Sequence, residues 1–110
     1  MAREVAALAA GKKGRDIVVL CMDEAVGYTD YFVIVSGATT RQTRAIADEI
    51  LRKLRGGRRP ARVEGEREAE WILIDYLDVV VHVFTDAARE FYRLESLWGD
   101  VPRLEVDLGS

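Results

Sequence analysis

The apolar residues of this chain fall into four short runs and one regularly spaced stripe. The runs are rich in Val, Ile and aromatic residues and predict strands at residues 16–22, 31–37, 71–75 and 78–84. The stripe repeats at intervals of three and four residues, which predicts an amphipathic helix, and consists of Ile46, Ala47, Ile50, Leu51 and Leu54. Strand and helix therefore alternate in the first half, whereas strands dominate the second.

The stripe lies in a helix predicted over residues 40–55, and both of its ends carry recognisable residues. Thr39 can act as the N-cap, with Gln42 three residues later as its capping-box partner. Gly56 and Gly57 follow the last apolar position and end the helix.

Weaker patterns predict the remaining elements. An Ala-rich helix is expected over residues 2–10 and a short strand over residues 61–64. A last helix begins with Thr85 or Asp86 as its cap and runs through the sequence REFYRLESLW. The tail from residue 101 contains Gly, Pro and spaced charges, and we expect it to be extended and partly mobile.

Because the strands first alternate with helices and then follow one another, the pattern predicts an α+β or mixed α/β fold. A chain of 110 residues is long enough to bury one core, so residues 1–110 are expected to form a single domain. The sheet should contain about five strands, with the helices packed on it. No apolar run approaches the roughly 20 residues of a membrane span, and we expect a cytoplasmic protein.

Charge is unevenly distributed along the chain. The net charge of −3 argues against a dedicated nucleic-acid-binding protein. Basic residues nevertheless outnumber acidic ones eight to two between residues 41 and 62, whereas acidic residues outnumber basic ones twelve to four from residue 64 onward. Cys21 is the only cysteine, so it cannot form an intrachain disulfide, and its strand-like surroundings predict a buried thiol.

Three residues of the last two predicted strands could carry acid–base or metal chemistry. Asp75 and Asp78 flank the predicted hairpin turn, where Asp is favoured for local hydrogen bonding. His82, the only histidine, shares a strand face with Val80 and Phe84, which favours a structural role. Because the spacing does not bring two carboxylates and a histidine together, no catalytic residue, metal or cofactor is predicted.

The sequence SGATTR lies between a predicted strand and a predicted helix, where phosphate-binding loops are found in other proteins. Neither of the glycine-rich nucleotide-binding patterns is present, so nucleotide binding is only an alternative. Arg41 and Arg44 lie in the first turn of that helix, where positive charge opposes the helix dipole. Their face either keeps the helix soluble or lies near phosphate.

Trp71 stands out in the strand that it begins. Trp71, Leu73 and Asp75 share one face of this strand, and large apolar groups also occupy the other face. Such a strand is either covered on both sides or uses one face for a partner. A Trp preceded by acidic residues is typical of a docking anchor with a charged rim, although core packing would also explain it.

Three stretches carry a resemblance to a known family: DYFVIVSGATTRQTRAIADEI, EGEREAEWILIDYLDVVVHVF and REFYRLESLWGD. In this order they resemble the ribosomal silencing factor family, also called RsfS or Iojap-like proteins, over nearly the whole chain. The resemblance implies a nucleotidyltransferase-like topology without the catalytic chemistry. It also implies a factor that binds the large ribosomal subunit through the interface protein designated universal L fourteen. By blocking the small subunit, such a factor would repress translation when nutrients are scarce.

Carried over by position, the family's docking surface covers residues 64–76 and is centred on Trp71. The expected partner-binding residues are Glu64, Gly65, Trp71, Leu73, Asp75 and Tyr76. Arg41 and Arg44 are the candidates for contact with ribosomal RNA. A nucleotidyltransferase-like enzyme acting on nucleotides or RNA is the alternative, and a homodimer of the free protein stays open. The chain departs from the family at Leu77, where Gly is usual, because Leu tolerates positive φ poorly.

Overall fold

A six-stranded mixed sheet forms the centre of the computed structural model, which describes residues 1–23, 27 and 29–106. The helices are α1 (Ala2–Gly11), α2 (Thr40–Leu54), α3 (Asp86–Tyr92) and α4 (Leu94–Leu97). The strands are β1 (Arg15–Cys21), β2 (Tyr31–Gly37), β3 (Arg62–Glu64), β4 (Trp71–Asp75), β5 (Val79–Thr85) and β6 (Arg103–Leu104). The predicted α+β class is confirmed.

The strands lie in the order β3-β4-β5-β2-β1-β6. The central pair, β2 and β5, is parallel, and the other four pairings are antiparallel. The predicted hairpin is confirmed, since β4 and β5 pair with Trp71 opposite Phe84 and Leu73 opposite His82. The sheet has six strands instead of about five because Arg103 and Leu104, in the tail expected to be extended, pair with β1.

α1 and α2 cover one face of the sheet and enclose the larger core. As predicted, the Thr39 hydroxyl accepts a hydrogen bond from the Gln42 backbone N–H at 3.2 Å. The Gln42 side chain, however, donates to the carbonyl of Lys12 and does not return to the cap. It thereby ties the start of α2 to the end of α1, in place of a reciprocal capping box.

α3, α4 and the segment after them cover part of the opposite face. The core on this side includes Leu20, Phe32, Ile34, Val80 and Phe84, with Leu94, Trp98 and Val101 packed against it. Thr85 caps α3 by accepting from the Ala88 N–H at 3.2 Å.

The prediction of a single last helix is wrong, because the chain turns sharply at Arg93. This residue has φ 47° and ψ 46°, the left-handed conformation, and separates α3 from α4. An ion pair between Arg89 and Glu95, 2.7 Å long, bridges the break.

One further prediction differs in detail from the structure. Cys21 is only half-buried, because it lies at the end of β1. Part of the predicted tail, residues 107–110, lies outside the described residues. Over the described part of the chain, no helix is both long enough and apolar enough to cross a membrane.

Candidate functional site

Trp71 begins β4 and lies on the sheet face opposite α1 and α2. The strand alternates as predicted: Trp71, Leu73 and Asp75 are half-buried, whereas Ile72 and Ile74 are fully buried against the helices. The half-buried residues lie near the sheet edge, where only β3 follows β4. One side of β4 therefore completes the core, and the other presents a Trp and a Leu that are partly accessible.

The Trp71 indole is held by aromatic rings on two sides. It stacks on Phe84 with a centroid distance of 4.9 Å and an interplanar angle of 29°. The ring of Tyr92, from the end of α3, lies 4.8 Å from it. The indole Nε1–H donates to Nδ1 of His82 at 3.1 Å. These contacts fix the orientation of a side chain that remains partly accessible.

His82 is buried, with 3% of its surface exposed, and its ring meets Phe32 edge-on at 4.7 Å between centroids. Burial lowers the pKa of the imidazole from 6.5 to about 4, so the ring is neutral at pH 7. Because Nδ1 accepts the hydrogen bond from the indole N–H, the proton of the neutral imidazole is assigned to Nε2. Nε2 is buried and has no hydrogen-bond partner among the described residues. This environment agrees with the structural role predicted for His82.

The acidic turn before Trp71 is built around Gly65. Its φ is +82°, and a Cβ at this position would lie 2.0 Å from the carbonyl oxygen of Trp71. Two contacts from α2 hold the rest of the turn: the Thr43 hydroxyl donates to the carbonyl of Ala69 at 2.5 Å, and the Arg44 guanidinium donates to the carbonyl of Arg67 at 2.7 Å. Gly65 therefore allows the turn to pass close to Trp71, and hydrogen bonds from α2 hold the turn in place.

At the other end of β4, the two aspartates have separate structural roles. The Asp75 carboxylate accepts the Leu77 N–H at 2.8 Å and lies 3.6 Å from Arg62. Asp78 pairs with Arg58 across the turn. Over the described part of the chain, no group of three or more His, Cys, Asp and Glu side chains could hold a metal ion. Both carboxylates thus contact the turn itself or a neighbouring arginine.

Most of the predicted partner-binding residues lie together on one surface. Glu64 of β3 is paired with Leu73 of β4, so Glu64, Leu73, Asp75 and Trp71 lie along the same edge of the sheet. Tyr76 was predicted wrongly: it is 2% exposed and packs in the core on the helix side. It follows Asp75 in the alternation, which turns its side chain inward.

The two predicted RNA-proximal residues differ from each other. Arg41 is exposed in the first turn of α2. Arg44 is also exposed, but its guanidinium bonds to the turn before Trp71, through the carbonyl of Arg67 and more weakly that of Glu66 at 3.4 Å. Arg44 therefore has a structural role that the sequence did not predict.

Two aromatic residues of α3 were missed in the sequence. Phe91 is 80% exposed and Tyr92 is 50% exposed, and their rings meet edge-on at 5.0 Å. Since Tyr92 also packs on Trp71, these rings extend the apolar surface beyond β4. Two adjacent aromatic residues in a short helix cannot both face the core, which is the feature of the sequence that could have indicated them.

Comparisons with known proteins agree with one another. A model of the family described as "Ribosomal silencing factor during starvation" matches residues 1–109. The chain is 42% identical over 99 residues to the ribosomal silencing factor RsfS of Bacillus subtilis (strain 168), covering 89% of this chain and 84% of that protein. It is 34% identical over 91 residues to the mouse protein "Mitochondrial assembly of ribosomal large subunit protein 1", and the match covers 79% of this chain and 40% of that protein. The crystal structure of a Chromobacterium violaceum protein is similar, with a TM-score of 0.83 and 31% sequence identity. The match covers 100% of this chain and 97% of that chain.

Proposed function

The chain belongs to the ribosomal silencing factor family, and from this premise we propose that it binds the large ribosomal subunit and keeps the small subunit from joining. The binding partner is the interface protein designated universal L fourteen, and the result is repression of translation in nutrient shortage. We place this activity in the cytoplasm. The observation that carries the proposal is Trp71, held in a fixed orientation but partly accessible at a sheet edge.

The surface around Trp71 has the composition of a protein interface. Its apolar centre consists of Trp71, Leu73 and the exposed rings of Phe91 and Tyr92. The charged residues of β3, β4 and the turn between them border it, and they are Arg62, Glu64, Glu66, Arg67, Glu68, Glu70 and Asp75. Interfaces commonly combine an aromatic centre with a charged rim, and a mainly acidic rim suits a basic ribosomal protein. We therefore define these residues as the docking surface.

Steric exclusion would be enough for silencing. The chain measures 34 × 33 × 30 Å along its principal axes. A body about 30 Å thick, bound at the face where the two subunits meet, would keep their surfaces from touching. No chemical step is then needed, and the regulator acts by occupancy alone.

The alternative function is a nucleotidyltransferase-like enzyme, and the positions of the aspartates argue against it. Asp75 bonds to the turn and lies near Arg62, whereas Asp78 pairs with Arg58. We propose that the protein has no catalytic activity. The variant in which Asp75 and Asp78 are both changed to Asn should show the same background as wild type in a nucleotidyl-transfer assay with Mg²⁺. Metal-dependent transfer that this double change abolishes would contradict the proposal.

Sedimentation with purified ribosomal subunits tests the function directly. The protein should pellet with large subunits and not with small ones. When it is added before the small subunit, it should reduce the fraction of joined ribosomes in a sucrose gradient. Binding without any effect on joining would leave a ribosome-binding protein and contradict silencing. Sizing of the free protein at several concentrations addresses the homodimer alternative.

A further inference from the structure

A notch lined mainly by arginine lies between the end of α2 and the loop that leads to β3. It has a volume of about 420 Å³ and is lined by Leu51, Arg55, Arg58, Arg59 and Pro60. Three of these five residues are arginine, and none is acidic. Leu51 and Pro60 are its apolar lining residues, and all of its charged residues are positive.

A larger cleft elsewhere on the molecule shows how unusual this is for the chain. That cleft, of about 650 Å³, is lined by three arginines and four carboxylate residues: Arg15, Arg89 and Arg93, with Asp16, Asp86, Glu90 and Glu95. Two of its arginines form ion pairs there, Arg15 with Asp86 and Arg89 with Glu95. Positive charge is thus balanced locally in the larger cleft and concentrated in the notch.

Within the notch, one arginine is fixed and two are available. The Arg58 guanidinium pairs with Asp78 and donates to the carbonyl of Tyr76 at 2.9 Å. It also lies over the Tyr76 ring, 5.9 Å from the centroid. Arg55 and Arg59 are exposed, and neither forms an ion pair with another described residue. After Asp78 is counted, the notch retains two uncompensated guanidinium groups.

Neighbouring guanidinium groups repel one another, so beyond the contacts that Arg58 makes with Asp78 and Tyr76 their grouping does not stabilise the fold. Solubility would be served equally well by charges spaced along the surface. A planar guanidinium presents N–H donors in a fork that matches two phosphate oxygens. The apolar side chains of Leu51 and Pro60 can pack against a sugar or a base edge. The notch therefore has the chemistry of a site for a phosphodiester backbone.

The notch lies at the end of the docking strand. Arg58 contacts Tyr76 and Asp78 in the turn that follows β4, whereas Trp71 begins the same strand. At about 3.3 Å per residue, the turn is roughly 20 Å from Trp71. Because the notch lies on the α2 side of the sheet and Trp71 on the opposite face, a single large partner contacts both places by wrapping around the sheet edge at β3.

We propose that this notch binds phosphates of ribosomal RNA next to the ribosomal protein that the docking surface contacts. The inference rests on the proposed function, which brings the chain to the large subunit. It moves the main RNA contact from the first turn of α2 to the loop after that helix, because Arg44 is bonded to backbone carbonyls. The predicted contribution is electrostatic and independent of RNA sequence.

The salt dependence of binding tests the inference. The double variant Arg55→Gln and Arg59→Gln would be compared with wild type for binding to purified large subunits at several salt concentrations. Log K falls as log salt rises, and the loss of two phosphate contacts should make this negative slope shallower by roughly 1.5. The matched control is Lys12→Gln with Lys13→Gln, which removes the same charge from two exposed residues after α1 and should leave the slope unchanged.

Binding to the isolated ribosomal protein, free of RNA, separates the two kinds of partner. There the Arg55 and Arg59 variant should bind like wild type. A loss of affinity in that assay would assign the notch to an acidic protein surface and contradict the RNA contact. An unchanged slope with whole subunits, or an equal change in the lysine control, would also overturn it.

The outcomes separate this inference from the proposed function. If Trp71→Ala removes subunit binding while the arginine variant keeps the wild-type slope, docking stands and the notch inference fails. If wild-type protein does not bind large subunits at all, the proposed function fails and the notch inference fails with it. Thermal melting of each variant confirms that the exposed substitutions leave the fold intact.

Discussion

The indole of Trp71 donates a hydrogen bond to Nδ1 of His82 at 3.1 Å, which links the aromatic residue of β4 to a buried ring of β5. Trp71 is therefore held by a directional bond as well as by its stacking on Phe84. A side chain held in its bound orientation loses less conformational entropy when a partner docks. The buried histidine thus supports the surface without lying in it.

Replacement of Trp71 by Ala should weaken binding to the large subunit by about 2–4 kcal/mol, the range of an interface hot spot. At micromolar protein, this removes the complex in a sedimentation assay. The fold should survive with reduced stability, because Ile72 and Ile74 keep β4 in the core while Nδ1 of His82 loses its donor.

Trp71→Phe is the matched control, because it keeps an aromatic ring against Phe84 and loses the pyrrole ring with its N–H. Its binding should fall between wild type and Trp71→Ala. If Trp71→Ala unfolds the protein, Trp71 is chiefly a core residue. If the folded variant binds and still blocks joining, the docking surface lies elsewhere.

Replacement of His82 by Gln should lower the free energy of unfolding by about 1–3 kcal/mol, as expected for a disturbed buried polar group. Binding should be preserved in the folded fraction, because the Gln amide oxygen can accept the indole N–H in place of Nδ1. Urea denaturation and sedimentation measure the two effects separately. A variant as stable as wild type that no longer binds would place His82 in the site itself.

Stability should fall between pH 6.5 and about 4 because of His82. Its pKa is lowered from 6.5 to about 4 in the folded protein, so over this interval the unfolded chain binds a proton that the folded chain does not. Stability is therefore complete above about pH 6.5 and declines on acidification by about 3 kcal/mol in total.

Denaturant titrations across this range check the prediction, with His82→Gln as the control that should show a flatter profile. The carboxyl groups of Asp78 and Glu95 have lowered pKa values because Arg58 and Arg89, respectively, donate hydrogen bonds to them. Their contributions are lost as the pH falls below the unfolded values of 3.8 for Asp78 and 4.5 for Glu95, so Asp78 acts below the His82 interval and Glu95 overlaps only its acidic end. A wild-type profile that stays flat from pH 6.5 to 4 would contradict the buried neutral histidine.

Strand periodicity was sufficient to predict which residues of β4 are buried in the core and which are partly accessible. The same periodicity should have excluded Tyr76, because a residue directly after Asp75 must point to the opposite face. The resemblance implied Tyr76 because the family's docking segment extends to residue 76. Only every second residue of a strand lies on the same face of the sheet.

Other features depend on tertiary contacts that leave no local pattern. The break at Arg93 occurs at a residue without special turn preference and is bridged by Arg89 and Glu95. β6 has two residues, too few for any periodicity, and exists because β1 offers a free edge. The hydrogen bond between Trp71 and His82 joins residues eleven apart on two strands, which no single-strand pattern could reveal.

Replacement of Leu77 by Gly should stabilise the protein by about 0.5–1 kcal/mol. Leu77 has φ 75°, and the Asp78 N–H bonds to the Tyr76 carbonyl at 3.0 Å, which closes a three-residue turn around it. This turn is strained for a residue with a Cβ, at about 1–2 kcal/mol. Part of the gain is offset because Gly is more flexible in the unfolded chain.

Leu77 is also 65% exposed and lies between Tyr76 and Asp78, so the same variant tests whether its side chain enlarges the docking surface. Thermal melting should show the gain in stability, and sedimentation with large subunits should show whether affinity changes. Leu77→Ala serves as the control, because it removes the apolar side chain but keeps the Cβ and its strain. Equal weakening of binding by both variants would assign Leu77 a contact with the partner. A Gly variant that is no more stable than the Ala variant would show that the turn is not strained.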